Sequence, residues 1–132
     1  MIVLDANILV AAVLGRQVPR VLTAAHARGV ALAVTEVQIL EAAQVLIDKI
    51  GLTEAEARKG LEAVTALVMP LSQEFCAAMK APARRRLHER AQSDWPVLAA
   101  ALAAEGAIWS HDRDFFGVGV PVWSSRNMAY AG

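Results

Sequence analysis

Cysteine is nearly missing from this chain: Cys76 is the only one in 132 residues. An internal disulfide and a cysteine-based metal cage are therefore excluded, and a reducing compartment suits the composition. Net charge is missing too, since 13 lysines and arginines balance 13 aspartates and glutamates. Such a molecule is not drawn as a whole to nucleic acid, although local patches can still bind it. No apolar run reaches the roughly 18 residues of a membrane span. The greasy N-terminus MIVLDANILVAAVLG has no basic leader and carries Asp5 in its middle, which argues against a signal peptide. The expectation is a soluble, cytoplasmic protein that begins at Met1 and has no membrane partner. Aromatic residues are scarce as well, at 5%, while hydrophobic residues make up 56%, mostly alanine, valine and leucine. This favours a compact globule with several buried elements over a disordered or fibrous chain.

Five short apolar segments read as strands: IVL before Asp5, VALAV at 30–34, LVMPL at 67–71, AIWS at 107–110 and VPVW at 120–123. The first is expected to end in a polar loop. Helices are predicted between them. Pro19 opens one that Gly29 closes. Thr35, with Gln38 at capping-box spacing, opens one that ends before Gly51, and Thr53 with Glu56 repeats the pattern up to about Ala66. Ser72 starts a helical stretch that Pro82 interrupts and ARRRLHER (83–90) resumes. Asp94 caps WPVLAAALAAE, which Gly106 stops. Uniformly apolar strands alternating with helices predict a single domain over residues 1–132. Its class is α/β, an α/β/α sandwich around a central, mainly parallel five-stranded sheet.

In such a sheet, ligands bind beyond the carboxyl ends of the strands. Asp5 follows the first strand, Asp112 and Asp114 follow the fourth, and Asp94 opens the helix leading into the fourth. Three separate segments thus aim carboxylates at one rim. Each acid has an ordinary explanation alone: Asp94 as an N-cap in SDWP, Asp112 and Asp114 as turn formers in HDRD. Asp5 is harder to dismiss, because apolar sequence flanks it and a buried, unpaired carboxylate is costly. Together they fit a hard divalent cation, Mg²⁺ or Mn²⁺, which takes oxygen ligands and can activate water against a phosphodiester.

The segments IVLDANILV, SDWPVLAAAL and SHDRDFFGVGVPVW, with a glutamate inside the second long helix, occur in order along essentially the whole chain. In this the sequence resembles the PIN domain. PIN domains are Mg²⁺- or Mn²⁺-dependent ribonucleases, and many are VapC-like toxins neutralised by a small antitoxin protein. The resemblance implies that Asp5, Glu41, Asp94, Asp112 and Asp114 are the catalytic acids, with the four aspartates coordinating one or two metal ions. It implies that Asn7 supports the first acid and that Ser110 is a small hydroxyl residue orienting an acid. It also implies hydrolysis of RNA leaving a 5′-phosphate and a 3′-hydroxyl, an antitoxin partner and a homodimer. Periodicity does not by itself favour Glu41. The apolar stripe of its helix is Ile39, Ala43, Leu46, Ile47 and Ile50, and Glu41 lies opposite it between Val37 and Val45, with Glu36 as a competitor one turn earlier.

Arg84, Arg85, Arg86 and Arg90 fall in one basic stretch, either a solvated face or a phosphate-contacting patch beside Asp94; Arg113 has the same two readings. His111 has no serine or cysteine partner placed for nucleophilic catalysis and reads as a loop residue or a substrate contact. Cys76 reads as core, and Trp109, Trp123, Phe115 and Phe116 as packing around the last two strands. Two rivals stand beside the nuclease. A haloacid-dehalogenase-type phosphatase also begins with an aspartate after the first strand, but its chemistry wants a second aspartate where Asn7 stands. A non-catalytic PIN-like module binding RNA or protein is the other, and the retention of every expected acid argues against it.

Overall fold

The computed structural model describes residues 1–131. Five parallel strands, β1 (Ile2–Leu4), β2 (Leu32–Thr35), β3 (Met69–Leu71), β4 (Ala107–Trp109) and β5 (Val122–Trp123), form one sheet in the order β3-β2-β1-β4-β5. Strand order reverses between β1 and β4, the two strands whose ends carry Asp5 and Asp112. The expected α/β/α class is what is found. The strands are shorter than their apolar runs: β3 and β5 are edge strands, and Pro70 sits in β3, where a missing N–H is tolerated on the outer side.

Among the described residues, seven α-helices cover the two faces. On one lie α1 (Ala6–Leu14), α2 (Gln17–Ala27), α3 (Glu36–Val45) and α4 (Glu54–Thr65), packed on Ile2, Leu4, Leu32, Val34 and Trp109. On the other lie α5 (Gln73–Ala77), α6 (Lys80–Arg86) and α7 (Trp95–Ala103), packed on Val3, Ala33 and Ile108. The alternation of Ile2 and Leu4 with Val3 is the period-two pattern of a sheet buried on both sides. Each fully buried leucine or isoleucine in these layers contributes roughly 1.5–3 kcal/mol. No single helix among the described residues is long and apolar enough to cross a membrane.

Three local expectations are corrected. The polar loop expected after Asp5 is helix α1, with Ile8 and Leu9 wholly buried. A helix that is apolar all round gives no amphipathic signal, which is why periodicity passes over it. Pro82 does not interrupt a helix but sits in the first turn of α6, where its absent N–H has no partner to lose. ARRRLHER is not one helix. The amide of Gln92 donates to the carbonyls of Arg84 (2.7 Å) and Leu87 (2.9 Å), ending α6 at Arg86, and a separate 3-10 turn, Glu89–Asp94, follows.

Candidate active site

Asp5 leaves β1 in extended backbone and caps α1, its Oδ1 accepting from the amide of Ala6 at 2.8 Å. Its other oxygen accepts from the Ser110 hydroxyl at 2.7 Å and from the Asn7 amide at 3.2 Å. Ser110, buried at the end of β4, accepts in turn from the backbone N–H of Asp112 at 2.9 Å. Asp112 Oδ1 then accepts from the N–H of Asp114, also at 2.9 Å. The small hydroxyl thus ties the acid after β1 to the acid loop after β4, across the sheet's switch point.

The loop is held from its other side as well. Ser125, past β5, accepts from the indole of buried Trp109 at 3.1 Å and pairs with His111 Nε2 at 2.8 Å. The His111 backbone N–H donates to Asn7 at 3.4 Å. His111 therefore anchors the loop that carries Asp112 and Asp114. Gly117 and Gly119 have φ of +80° and +90° in the turn that follows. Phe115 is buried against α7's side of the sheet, but Phe116 is 64% exposed and packs neither strand, contrary to expectation.

Asp94 ends the 3-10 turn before α7, and its side chain makes no capping hydrogen bond. The N-cap explanation for this residue therefore does not hold, and the carboxylate is free to face the rim. Glu41 reaches the same place from α3. The stripe Ile39, Ala43 and Ile47 faces α4, which turns Glu41 and Val45 to the other side. Asp5, Asn7, Glu41, Asp94 and Asp112 line one pocket of about 250 Å³. Glu36 is exposed at the start of α3 and does not line it. Asp114 lies just outside, where oxygens of Asp94, Asp112 and Asp114 come within 4.8 Å of one another. Asp94 and Asp112 belong to both groupings.

The electrostatics record this crowding. Burial, and then the nearby Asp112, Asp5, Glu41 and Asp114, push the Asp94 carboxyl up to about 6. Asp5 is raised chiefly by burial, against the lowering effect of its Ser110 and Ala6 hydrogen bonds. Glu41 is raised by burial and by Asp5. Burial is the main cause in all three, and the neighbouring acids add to it. The donor set is all oxygen, with no thiolate near and the His111 ring turned to Ser125, so the residues fit a hard divalent cation and not a thiophilic one.

The basic residues are dispersed. Arg84 donates to the Gln92 side chain at 3.2 Å, and Arg86 to the carbonyl of Val118 at 3.0 Å, with Gly119 so close that a Cβ there would meet its guanidinium at 2.6 Å. These two hold the chain. Arg85 and Arg113 are exposed. Arg90 is the cation that touches the acids: its Nη2 and Nε donate to Asp114 Oδ1 at 2.8 and 3.3 Å. In the sequence Arg90 stands in a basic stretch with no visible partner, because the pair lies 24 residues apart and nothing periodic links them.

A family model of the PIN domain matches residues 3–131. No curated protein matches the chain. Among solved structures, the chain is similar to one in the crystal structure of VapBC2 from Rickettsia felis bound to a DNA fragment from their promoter. The TM-score is 0.75 at 13% identity, covering 94% of this chain and 98% of that one. At such low identity the likeness speaks for the fold, whereas the family match runs from β1 to the last described turn and takes in all five rim acids: the chain belongs to the PIN-domain family.

Proposed function

We propose that the chain, as a single nuclease domain over 1–132, is a Mg²⁺- or Mn²⁺-dependent endoribonuclease and the toxin of a toxin–antitoxin pair. The observation that carries this reading is the convergence of Asp5, Glu41, Asp94 and Asp112, from four separate segments, on one pocket at the switch point of the sheet. The antitoxin is proposed from the structural likeness to a chain of VapBC2. A homodimer and a cytoplasmic location belong to the same proposal.

Asp5, Asp94, Asp112 and Asp114 would hold the ion, which when bound lowers the pKa of a water and offsets charge on a phosphodiester. The chain's own contribution is preorganisation. Ser110 and Asn7 fix Asp5 in one orientation, and Ser110 and the Asp112–Asp114 turn fix the loop, so that little rearrangement accompanies the reaction. Glu41, its carboxyl raised by partial desolvation and then by Asp5, lines the pocket where it is placed to accept a proton from water. Exposed Arg85, Arg90 and Arg113 supply contacts to the RNA backbone, which give affinity without sequence choice. The phosphatase alternative is weaker. The residue two after Asp5 is Asn7, and its amide is engaged by Asp5 and Ser110.

The test is hydrolysis of structured RNA by antitoxin-free protein with Mg²⁺ or Mn²⁺, comparing wild type with Asp5→Asn and Asp94→Asn. Wild type cleaves, leaving 5′-phosphates, while each variant loses at least a hundredfold in rate. Intact RNA that is still bound by wild type would identify the non-catalytic module instead.

A further inference from the structure

A second pocket, of about 300 Å³, opens beside the carboxylate site and is lined by Thr35, Val37, Gln73, Cys76, Lys80 and Trp95, among others. The two pockets share their walls. Val37 stands one turn before Glu41 on α3, so both project from one side of that helix. Asp94 faces the acidic pocket, and the next two residues, Trp95 and Pro96, line the apolar one. A group bonded to a phosphate held at the acids therefore finds this pocket adjoining.

The lining is chiefly aliphatic and aromatic, with two polar side chains left without protein hydrogen-bond partners among the described residues. Gln73, exposed at the start of α5, offers an amide donor and acceptor. Lys80 carries its ammonium 4.8 Å from the centre of the Trp95 ring and forms no salt bridge. An aliphatic peptide side chain has no use for that cation. A nucleotide uses every part: a flat apolar ring for the recess, base-edge polar atoms for Gln73, and a flanking phosphate for Lys80.

We infer that this pocket is a base-binding subsite, taking an unpaired nucleobase of the RNA next to the phosphodiester that is cut. The inference rests on the ribonuclease reading. The probes are two fluorescein-labelled RNAs of equal length, one with all its bases and one with abasic residues at its centre. They are titrated into Asp112→Asn protein with Mn²⁺ present, and binding is read by fluorescence anisotropy. Expected is a preference of about tenfold for the RNA that keeps its bases, the scale of one stacked base. Adding Ala77→Phe, which fills the recess from its wall without removing core, abolishes the preference and leaves affinity for the abasic RNA unchanged. Trp95→Leu also abolishes the preference.

Equal binding of the two probes overturns the subsite while leaving the ribonuclease reading standing. So does a preference that survives Ala77→Phe, including the case in which that variant loses only a protein partner. Failure to bind either probe, together with no cleavage by wild type, overturns the ribonuclease reading and the subsite with it.

Discussion

Replacing Asp94 by Asn should make the metal-free protein more stable at neutral pH, although it removes a residue of the proposed site. In the folded protein this carboxyl titrates at about 6 instead of 3.8, because burial and four neighbouring acids oppose its charge. A carboxyl raised on folding takes up protons between its unfolded and folded values. Its ionisation therefore costs nothing below about pH 4, erodes stability as pH rises to about 6, and leaves it reduced above that. The gap corresponds nominally to about 3 kcal/mol. Asp94 is only half-buried, and solvent screening reduces the figure to roughly 1–1.5 kcal/mol.

For a chain of 132 residues, that difference raises the melting temperature by about 4–5 °C at pH 7.5. The assay is thermal unfolding followed by far-UV circular dichroism, with EDTA, from pH 4 to pH 8. Wild type and Asp94→Asn should melt together at the acid end and separate progressively through pH 6, the variant higher. Because Asp5 and Glu41 are coupled to Asp94, the difference reports its charge together with the relief its removal gives them. Saturating Mg²⁺ should then narrow the gap, since an ion bound at the acids stabilises wild type more than the variant. If the variant melts lower than wild type at pH 7.5, or if the gap does not change with pH, the carboxylates are not mutually destabilising and the argument from crowding fails.

Two other substitutions probe how the site is held. Ser110→Ala removes the hydroxyl that donates to Asp5 at 2.7 Å and accepts from Asp112 at 2.9 Å. RNA cleavage should fall about 10- to 100-fold, mainly in kcat, with Mn²⁺ affinity weakened to match; unchanged cleavage would show that the acids are oriented without it. Arg90→Ala removes the cation paired with Asp114. Mn²⁺ affinity, followed by electron paramagnetic resonance, should then rise by about twofold to fivefold while KM for RNA increases. Weaker Mn²⁺ binding would mean that Arg90 acts as a clamp between the Glu89–Asp94 turn and the acid loop, not as a competing cation.

Some of this site is legible along the chain because a charge at the end of an apolar strand is conspicuous. Asp5 and Asp112 follow the buried β1 and β4 segments, and the parallel-sheet rule puts both at one rim. Glu41 shows where that reasoning weakens. A helix packed on two sides has no single apolar stripe, so the angle between Glu41 and Ile39 does not reveal that α1 and the acidic pocket lie on its far side. The cause is α1 itself. Its nine residues, ANILVAAVL, are apolar on nearly every side and so show no helical period, although only Ala6, Ile8, Leu9 and Ala12 are buried, and an element missed there removes the surface that Glu41 faces.

The same limit applies to Asp94. An aspartate ahead of a helix beginning Trp-Pro has the local pattern of a cap, and sequence gives no means of telling a capping carboxylate from a free one. The distinction is set by the 3-10 turn that delivers the residue, which leaves its backbone near φ −86°, ψ 6° rather than in the extended conformation a cap usually takes. Asp5, at φ −76°, ψ 160°, does cap its helix and spends one oxygen on it. Two acids that look alike in the sequence are thus unequal in the fold. Asp5 is held by three hydrogen bonds from the protein, while Asp94, raised by burial and then by its acidic neighbours, makes no capping bond and has its oxygens left for an ion. An Asp94→Glu variant should separate these roles: the longer arm, with no bonds to break, should retain measurable Mn²⁺ binding, whereas Asp5→Glu, forced out of its cap, should not. Mn²⁺ titration of the two variants decides it, and equal loss in both would remove the distinction.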